Sequence, residues 1–280
     1  MKISKLPIKE AKLSNAGGLD FLLLGCGSAF ATTLHQTNIL LIKENHHLLI
    51  DCGTRCTTAL QKVGLRLPDI QMFLITHSHA DHIGGLEQAQ LHGRYVTKKK
   101  PSMVITPEYQ DILWNQSLRG GAEQSEVKRL SFSDFWNIIR PEPLVGFDRD
   151  CWQTTIGNID IKMFRTKHFP DQAKSWQDSA WSCGILVDDR VLFTSDTRFD
   201  PELLEQFDSR FNIEVIFHDC QLFTGGVHTG IEELTGLPET LRRKIVLVHY
   251  GDNWRDFTML ASKANFHSWG KQGHAYHFSD

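Results

Sequence analysis

Thr76-His77-Ser78-His79-Ala80-Asp81-His82 follows directly on the apolar run Ile70–Ile75. Three imidazoles and a carboxylate are packed together just past what reads as a buried strand. A polar turn rarely concentrates such groups so densely, so a metal-binding loop is the better reading. His77 and His79 stand two apart on a tight loop and can reach one ion. Asp81 and His82 follow at once and can serve a second. Two ions about 3.5–4 Å apart also need a bridging carboxylate and a further imidazole each.

Those groups recur past other strand-like runs. Asp51 follows Leu48–Ile50, and His168 follows Met163–Lys167. Asp196 follows Val191–Ser195, His218 and Asp219 follow Glu214–Phe217, and His249 follows Ile245–Val248. Loops at one edge of a sheet scaffold are where binding groups collect. By count, Asp196, His168 and His249 supply the missing bridge and imidazoles. Imidazole and carboxylate without a nearby thiolate pair suit zinc, manganese or iron at an open catalytic site.

The runs Leu19–Leu24, Asn38–Ile42, Ile159–Phe164, Ser182–Val187 and Ile213–Phe217 likewise read as strands, with a hairpin turn at Glu44-Asn45-His46. Helical spacing appears over Thr54–Val63, Ile83–Leu91, Pro107–Leu118, Pro201–Phe207, Leu237–Arg243 and Asp252–Asn265. Hairpins mixed with helices predict an α+β chain of stacked sheets flanked by helices. Residues 1–280 are expected to form one domain. An insertion around 108–151, carrying Trp114, Phe132, Phe135, Trp136 and Phe147, is expected to cap the site or form a subunit contact.

Composition excludes several classes. The chain has 280 residues, 41% hydrophobic and 22% charged, with a formal net charge of −3. Such a balance is that of a globular protein and does not favour a polyanion such as RNA. The first residues lack the apolar core of a signal peptide, and no stretch is long enough for a membrane span. Six scattered cysteines without a CxxC pair favour a reducing, cytoplasmic setting.

His77-Ser78-His79-Ala80-Asp81-His82 resembles the HxHxDH signature of the metallo-β-lactamase superfamily. Asp51 in LIDCG, His168, Asp196 in TSDT and His249 in VLVHY follow that family's order. The resemblance implies a four-layer αββα sandwich with two divalent ions, zinc first among them, at one edge. It assigns His77, His79 and His168 to one ion and Asp81, His82 and His249 to the other. Asp196 would bridge them, and Asp51 would orient a ligand. His218-Asp219-Cys220-Gln221 resembles the HEAT segment of the ribonuclease Z branch, and His228-Thr229 its later HST segment. Carried over, Asp219 would orient His228, His228 would serve the leaving oxygen, and Asp81 would also orient the attacking water.

Departures narrow the reading. Asp219 and Gln221 replace the Glu and Thr of the HEAT segment. The short interval from His168 to Asp196 has no room for the arm with which many tRNA-processing members grip tRNA. The chain is therefore more similar to cyclic-nucleotide phosphodiesterases of that branch, such as the anti-Pycsar type of phages and bacteria. The expectation is a homodimeric phosphodiesterase acting on a small nucleotide, a cyclic one first among them. The alternatives are a tRNA 3′-end endonuclease and a carbon-ester hydrolase such as a lactonase. Lys174, Trp176 and Trp181, beside His168, are candidate substrate contacts through phosphate pairing and base stacking.

Overall fold

The computed structural model describes residues 1–6 and 10–279. Two eight-stranded sheets are stacked between helices. The first runs Lys2–Lys5, His274–Phe278, Leu19–Gly25, Asn38–Lys43, His46–Ile50, Met72–Leu74, Ser102–Val104, Asn137–Ile139. The second runs Ser268–Trp269, Ile245–Val248, Val215–Asp219, Val191–Phe193, Cys183–Val187, Ile159–Arg165, Cys151–Ile156, Glu142–Pro143. The α+β layering is the one the motif order implied.

Period-two alternation explains the stacking. Phe21, Leu41, Leu48 and Tyr276 are in register across the first sheet and face the second. Phe21 stacks on Phe217 of the second sheet with ring centroids 4.1 Å apart. Their neighbours Leu22, Leu40, Leu49 and Phe73 point the other way, onto helices. Each such side chain, fully buried, contributes roughly 1.5–3 kcal/mol. Both faces of these strands are therefore apolar, which is why they read as continuous runs rather than alternating ones.

Helix Cys56–Val63 lays Ala59, Leu60 and Val63 on the first sheet and stops at Gly64. Gly64 adopts φ 90°, and its N–H reaches the Leu60 and Gln61 carbonyls. Helix Pro107–Leu113 starts with Pro at its first position, and the Thr106 side chain accepts from the Tyr109 N–H. The helical path then continues through a wider turn at Trp114–Leu118. Of the expected helices, one is cut short and another divides. Leu237–Arg243 holds only the short helix Glu239–Arg242, because Pro238 cannot extend a preceding turn. Asp252–Asn265 holds a tight turn at Trp254–Phe257 and then helix Thr258–Lys263.

The 108–151 segment does not cap the cavity that opens beside the histidines; none of its residues lines it. Phe132, Phe135 and Trp136 are buried among the helices on the first sheet's outer face, and Phe147 packs on Phe207 and Phe211. The same segment adds an edge strand to each sheet. No helix among the described residues is long and apolar enough to cross a membrane.

The fold places the chemistry by strand direction. His46–Ile50 and Met72–Leu74 are parallel neighbours in the first sheet. Val191–Phe193, Val215–Asp219 and Ile245–Val248 are parallel in the second. Their carboxyl ends deliver Asp51, the His77–His82 loop, Asp196, Asp219 and His249 to one edge of the sandwich.

Candidate metal centre

Ligand-type atoms of His77, His79, His168 and Asp196 lie within 4.8 Å of one another. So do those of Asp81, His82, Asp196 and His249. Asp196 belongs to both groups, which is the position of a carboxylate shared by two ions. His77, Asp81, His82, His168, Asp196 and His249 are buried; His79 is half-buried and faces the cavity.

The backbone is strained at and beside these groups. Asp51, Ser195 and His249 adopt left-handed φ values of 63°, 52° and 59°. Such conformations cost energy in non-glycine residues and persist where the surroundings over-determine them. At Asp51 the backbone N–H donates to Leu74 O, and the next N–H, of Cys52, donates to His82 O.

Outer contacts set the imidazole tautomers. His82 Nδ1 donates to Asp51 Oδ2 at 2.7 Å, while Asp51 Oδ1 accepts from the Thr76 N–H at 2.8 Å. His168 Nδ1 donates to the Val227 carbonyl at 2.8 Å. In each case Nε2 faces the cluster. His82 Nε2 lies 3.2 Å from Asp81 and 3.3 Å from Asp196, yet it is buried and in hydrogen-bond geometry with neither. A sealed nitrogen aimed between two carboxylates, with no hydrogen-bond partner, is what a divalent cation would satisfy.

Charge agrees with that fit. Burial pushes the Asp196 carboxyl up, but His249 and His82 outweigh it and hold Asp196 well below the usual carboxylate range. Burial lowers the His168 imidazole to about 4, which keeps it neutral. Ionised carboxylates and neutral imidazoles are the forms that bind metal. His82 and His249 move the other way. Burial opposes their charge, but the carboxylates around them prevail and raise both above the usual range.

Next to this centre, His228 Nδ1 is 2.8 Å from Asp219 Oδ2. Burial disfavours the imidazolium of His228, and the Asp219 carboxylate overcomes it, so the group is shifted upward. Asp219 is fully buried and also accepts from the Thr197 N–H at 3.0 Å, while its Oδ1 lies 3.3 Å from His249 Nδ1. One carboxylate thus touches both His228 and a member of the second cluster. Sequence reasoning paired Asp219 with His228 and missed its contact with His249.

The histidines open into a cavity of about 530 Å³ lined in part by Phe169, Phe223, Gln221 and His228. Phe30 also lines it and is 93% exposed, and Phe223 is 69% exposed. Lys174, Trp176 and Trp181 do not line it, so the expectation that they meet substrate is corrected. Trp181 is buried, stacked on Tyr109 at 5.4 Å with the Arg165 guanidinium 4.8 Å from its ring centroid. Trp176 donates to the Asp148 carbonyl and also lies near Arg165, and Lys174 is exposed outside the cavity. Arg165, from a neighbouring strand, draws both indoles inward. A larger groove of about 920 Å³, near Arg66 and Lys99, holds none of the clustered histidines.

Comparison with known proteins bears on this arrangement. The profile of the family described as "Anti-Pycsar protein Apyc1" matches residues 19–276. The Apyc1 protein of Bacillus phage vB_BsuM-Goe3 is 35% identical over 259 residues, covering 89% of this chain and 96% of the relative. That of Paenibacillus harenae is 37% identical over 232 residues, covering 82% and 89%. Among solved structures, the metallo-β-lactamase fold protein YhfI from Bacillus subtilis superposes with a TM-score of 0.65 at 14% identity, covering 93% of this chain and 99% of that one. Unliganded yeast PDE1 gives 0.60 at 14% identity, covering 94% and 99%. At such identities the two structures speak for the fold, which is the metallo-β-lactamase fold.

Proposed function

The chain belongs to the anti-Pycsar Apyc1 family, and from that premise we propose that it hydrolyses a phosphodiester bond of a cyclic nucleotide at a two-metal site. The observation that carries this reading is the Asp219–His228 pair beside the carboxylate shared by both ligand clusters. A carbon-ester hydrolase does not need an Asp–His pair for a phosphate there, and this pair matches the segments of the ribonuclease Z branch. The stretch from Phe169 to Ser195 is fully used by a loop and the hairpin Cys183–Val187/Val191–Phe193, which leaves no tRNA-gripping arm. The exposed faces of Phe30 and Phe223 suit a nucleobase.

In this reading His77, His79 and His168 hold one ion, Asp81, His82 and His249 the other, and Asp196 both. Divalent ions, when bound there, supply Lewis acidity toward the phosphate and acidify the attacking water. Asp51 keeps His82 oriented, and the Val227 carbonyl does the same for His168. Asp81 orients the attacking water. His228, held by Asp219, gives its proton to the leaving oxygen. Zinc fits the imidazole-rich donor set. Six free, buried cysteines agree with a reducing cytoplasm. A homodimer, as the resemblance implies, belongs to the same reading.

The test is a substrate panel: bis-p-nitrophenyl phosphate, 3′,5′-cyclic nucleotides, cyclic dinucleotides, a lactone and precursor tRNA, with metal content measured in parallel. Turnover of cyclic nucleotides is expected. Cleavage confined to precursor tRNA or the lactone would overturn the reading. His228→Ala should lower turnover by about 10²–10⁴-fold while bound metal stays constant. Loss of metal together with activity would refute the role given to His228.

A further inference from the structure

Gln221 stands where the resembling segment of the ribonuclease Z branch has Thr. Its side chain lines the cavity and the residue is 6% exposed. The amide nitrogen donates to the Gly225 carbonyl, and the amide oxygen Oε1 is buried with no partner. An unpaired acceptor in a buried site costs free energy until a donor reaches it. The backbone around it is firmly placed. The Gln221 N–H donates to Thr229 O at 2.8 Å, and the Ile231 N–H donates to Gln221 O at 3.0 Å. Gln221 therefore sits across a β-bridge from the segment that carries His228.

Gly225 and Gly226 cover this amide in left-handed conformations, φ 83° and 96°. A Cβ at Gly225 would meet nothing within 4 Å, and one at Gly226 would lie 3.6 Å from Gln221 Oε1. Little side-chain bulk therefore stands over the unpaired oxygen. A small movement of this two-glycine turn would bring a ligand donor to it.

We propose that Gln221 Oε1 accepts a hydrogen bond from the ribose 2′-hydroxyl of the substrate and so selects ribonucleotides over deoxyribonucleotides. The inference rests on the phosphodiesterase reading and deepens it. In a 3′,5′-cyclic nucleotide the 2′-hydroxyl is on the carbon next to the one bearing O3′. His228 serves the leaving oxygen, and Gln221 lies beside the His228 segment, so a 2′-hydroxyl held by Gln221 makes O3′ the oxygen that leaves. The bond from phosphorus to O3′ breaks, and the water oxygen bonds to phosphorus. The His228 proton passes to O3′, and a proton lost by the water restores it. A hydroxyl donor also suits the site because the amide nitrogen is already committed to Gly225. A site built around one hydroxyl discriminates against the analogue lacking it, because its acceptor is then left unpaired.

The experiment compares kcat/KM for one 3′,5′-cyclic ribonucleotide and its 2′-deoxy analogue, in the metal-loaded wild-type protein and in Gln221→Met. Methionine keeps the volume and removes the acceptor. The wild type should prefer the ribonucleotide by about 10–100-fold, and Gln221→Met should bring the ratio close to one. Equal rates in the wild type, or an unchanged ratio in the variant, would overturn the proposal. The wild-type ratio decides by itself if the variant fails to fold. Absence of turnover on both nucleotides, with metal bound, would instead count against the phosphodiesterase reading.

Discussion

At the scale of single residues, what sets this site apart is how few degrees of freedom its histidines keep. Asp51 shows why. It touches none of the atoms at the cluster's centre, yet its two oxygens fix His82 Nδ1 and the start of the His77 loop. Asp51→Asn keeps the shape and tolerates the left-handed backbone but removes the charge that His82 donates to. Metal affinity, measured by competition with a chelator, should fall by about 10–100-fold. An unchanged affinity would mean that His82 needs no partner. The candidate ligands were legible in the sequence because coordination chemistry admits few residue types and the fold delivers them at strand ends. Phe30, Phe223 and the contact of Asp219 with His249 were not. Exposure and packing between distant loops have no local signature. The indoles of Trp176 and Trp181 misled for the same reason: their partner, Arg165, lies on another strand.

At the scale of elements, the site depends on one very close backbone approach. Gly53 follows the strand that ends at Asp51, and a Cβ there would fall 2.0 Å from the Asp81 carbonyl oxygen. Backbone cannot yield as a side chain can. Gly53→Ala should push the short helix Ala80–Ile83 outward, with loss of bound metal and about 3 kcal/mol or more of stability by denaturant unfolding. A variant that keeps both would show that this contact is slack. The loop before strand Asn38–Lys43 carries an acid-sensitive contact. His35 is lowered to about 4 by burial, then by Lys62 and Arg55, and its Nε2 accepts from Lys62 Nζ at 2.8 Å. Its folded pKa is depressed below the unfolded value near 6.5. The unfolded chain therefore binds more protons between those two values. The stabilisation is complete above pH 6.5 and is lost as pH falls toward 4. After allowance for its position near the surface it amounts to about 1–2 kcal/mol. His35→Asn should flatten the dependence of unfolding free energy on pH across that window. An unaltered slope would assign it to other groups. The central strands were legible from their apolar runs. Lys2–Lys5, Glu142–Pro143 and Ser268–Trp269 were not, because runs of two to four residues are too short to show a period.

At the scale of the whole molecule, the two sheets play different parts. The second contributes three parallel strands whose ends hold Asp196, Asp219 and His249, while the first contributes Asp51 and the HxHxDH loop. The centre exists only when both sheets are in place, so loss of the core between them should abolish metal binding. Phe217→Ala, which removes the ring stacked on Phe21, should cost about 3–5 kcal/mol in unfolding free energy. A much smaller loss would mean that the sheets can close over the gap. The order of strands in the first sheet also has a temporal side. His274–Phe278 lies between Lys2–Lys5 and Leu19–Gly25, pairing with both. During synthesis, the edge of Leu19–Gly25 must therefore wait, unpaired and rich in leucine, until His274–Phe278 has emerged. Until then the nascent chain carries an open, apolar sheet edge of the kind that favours association with other chains.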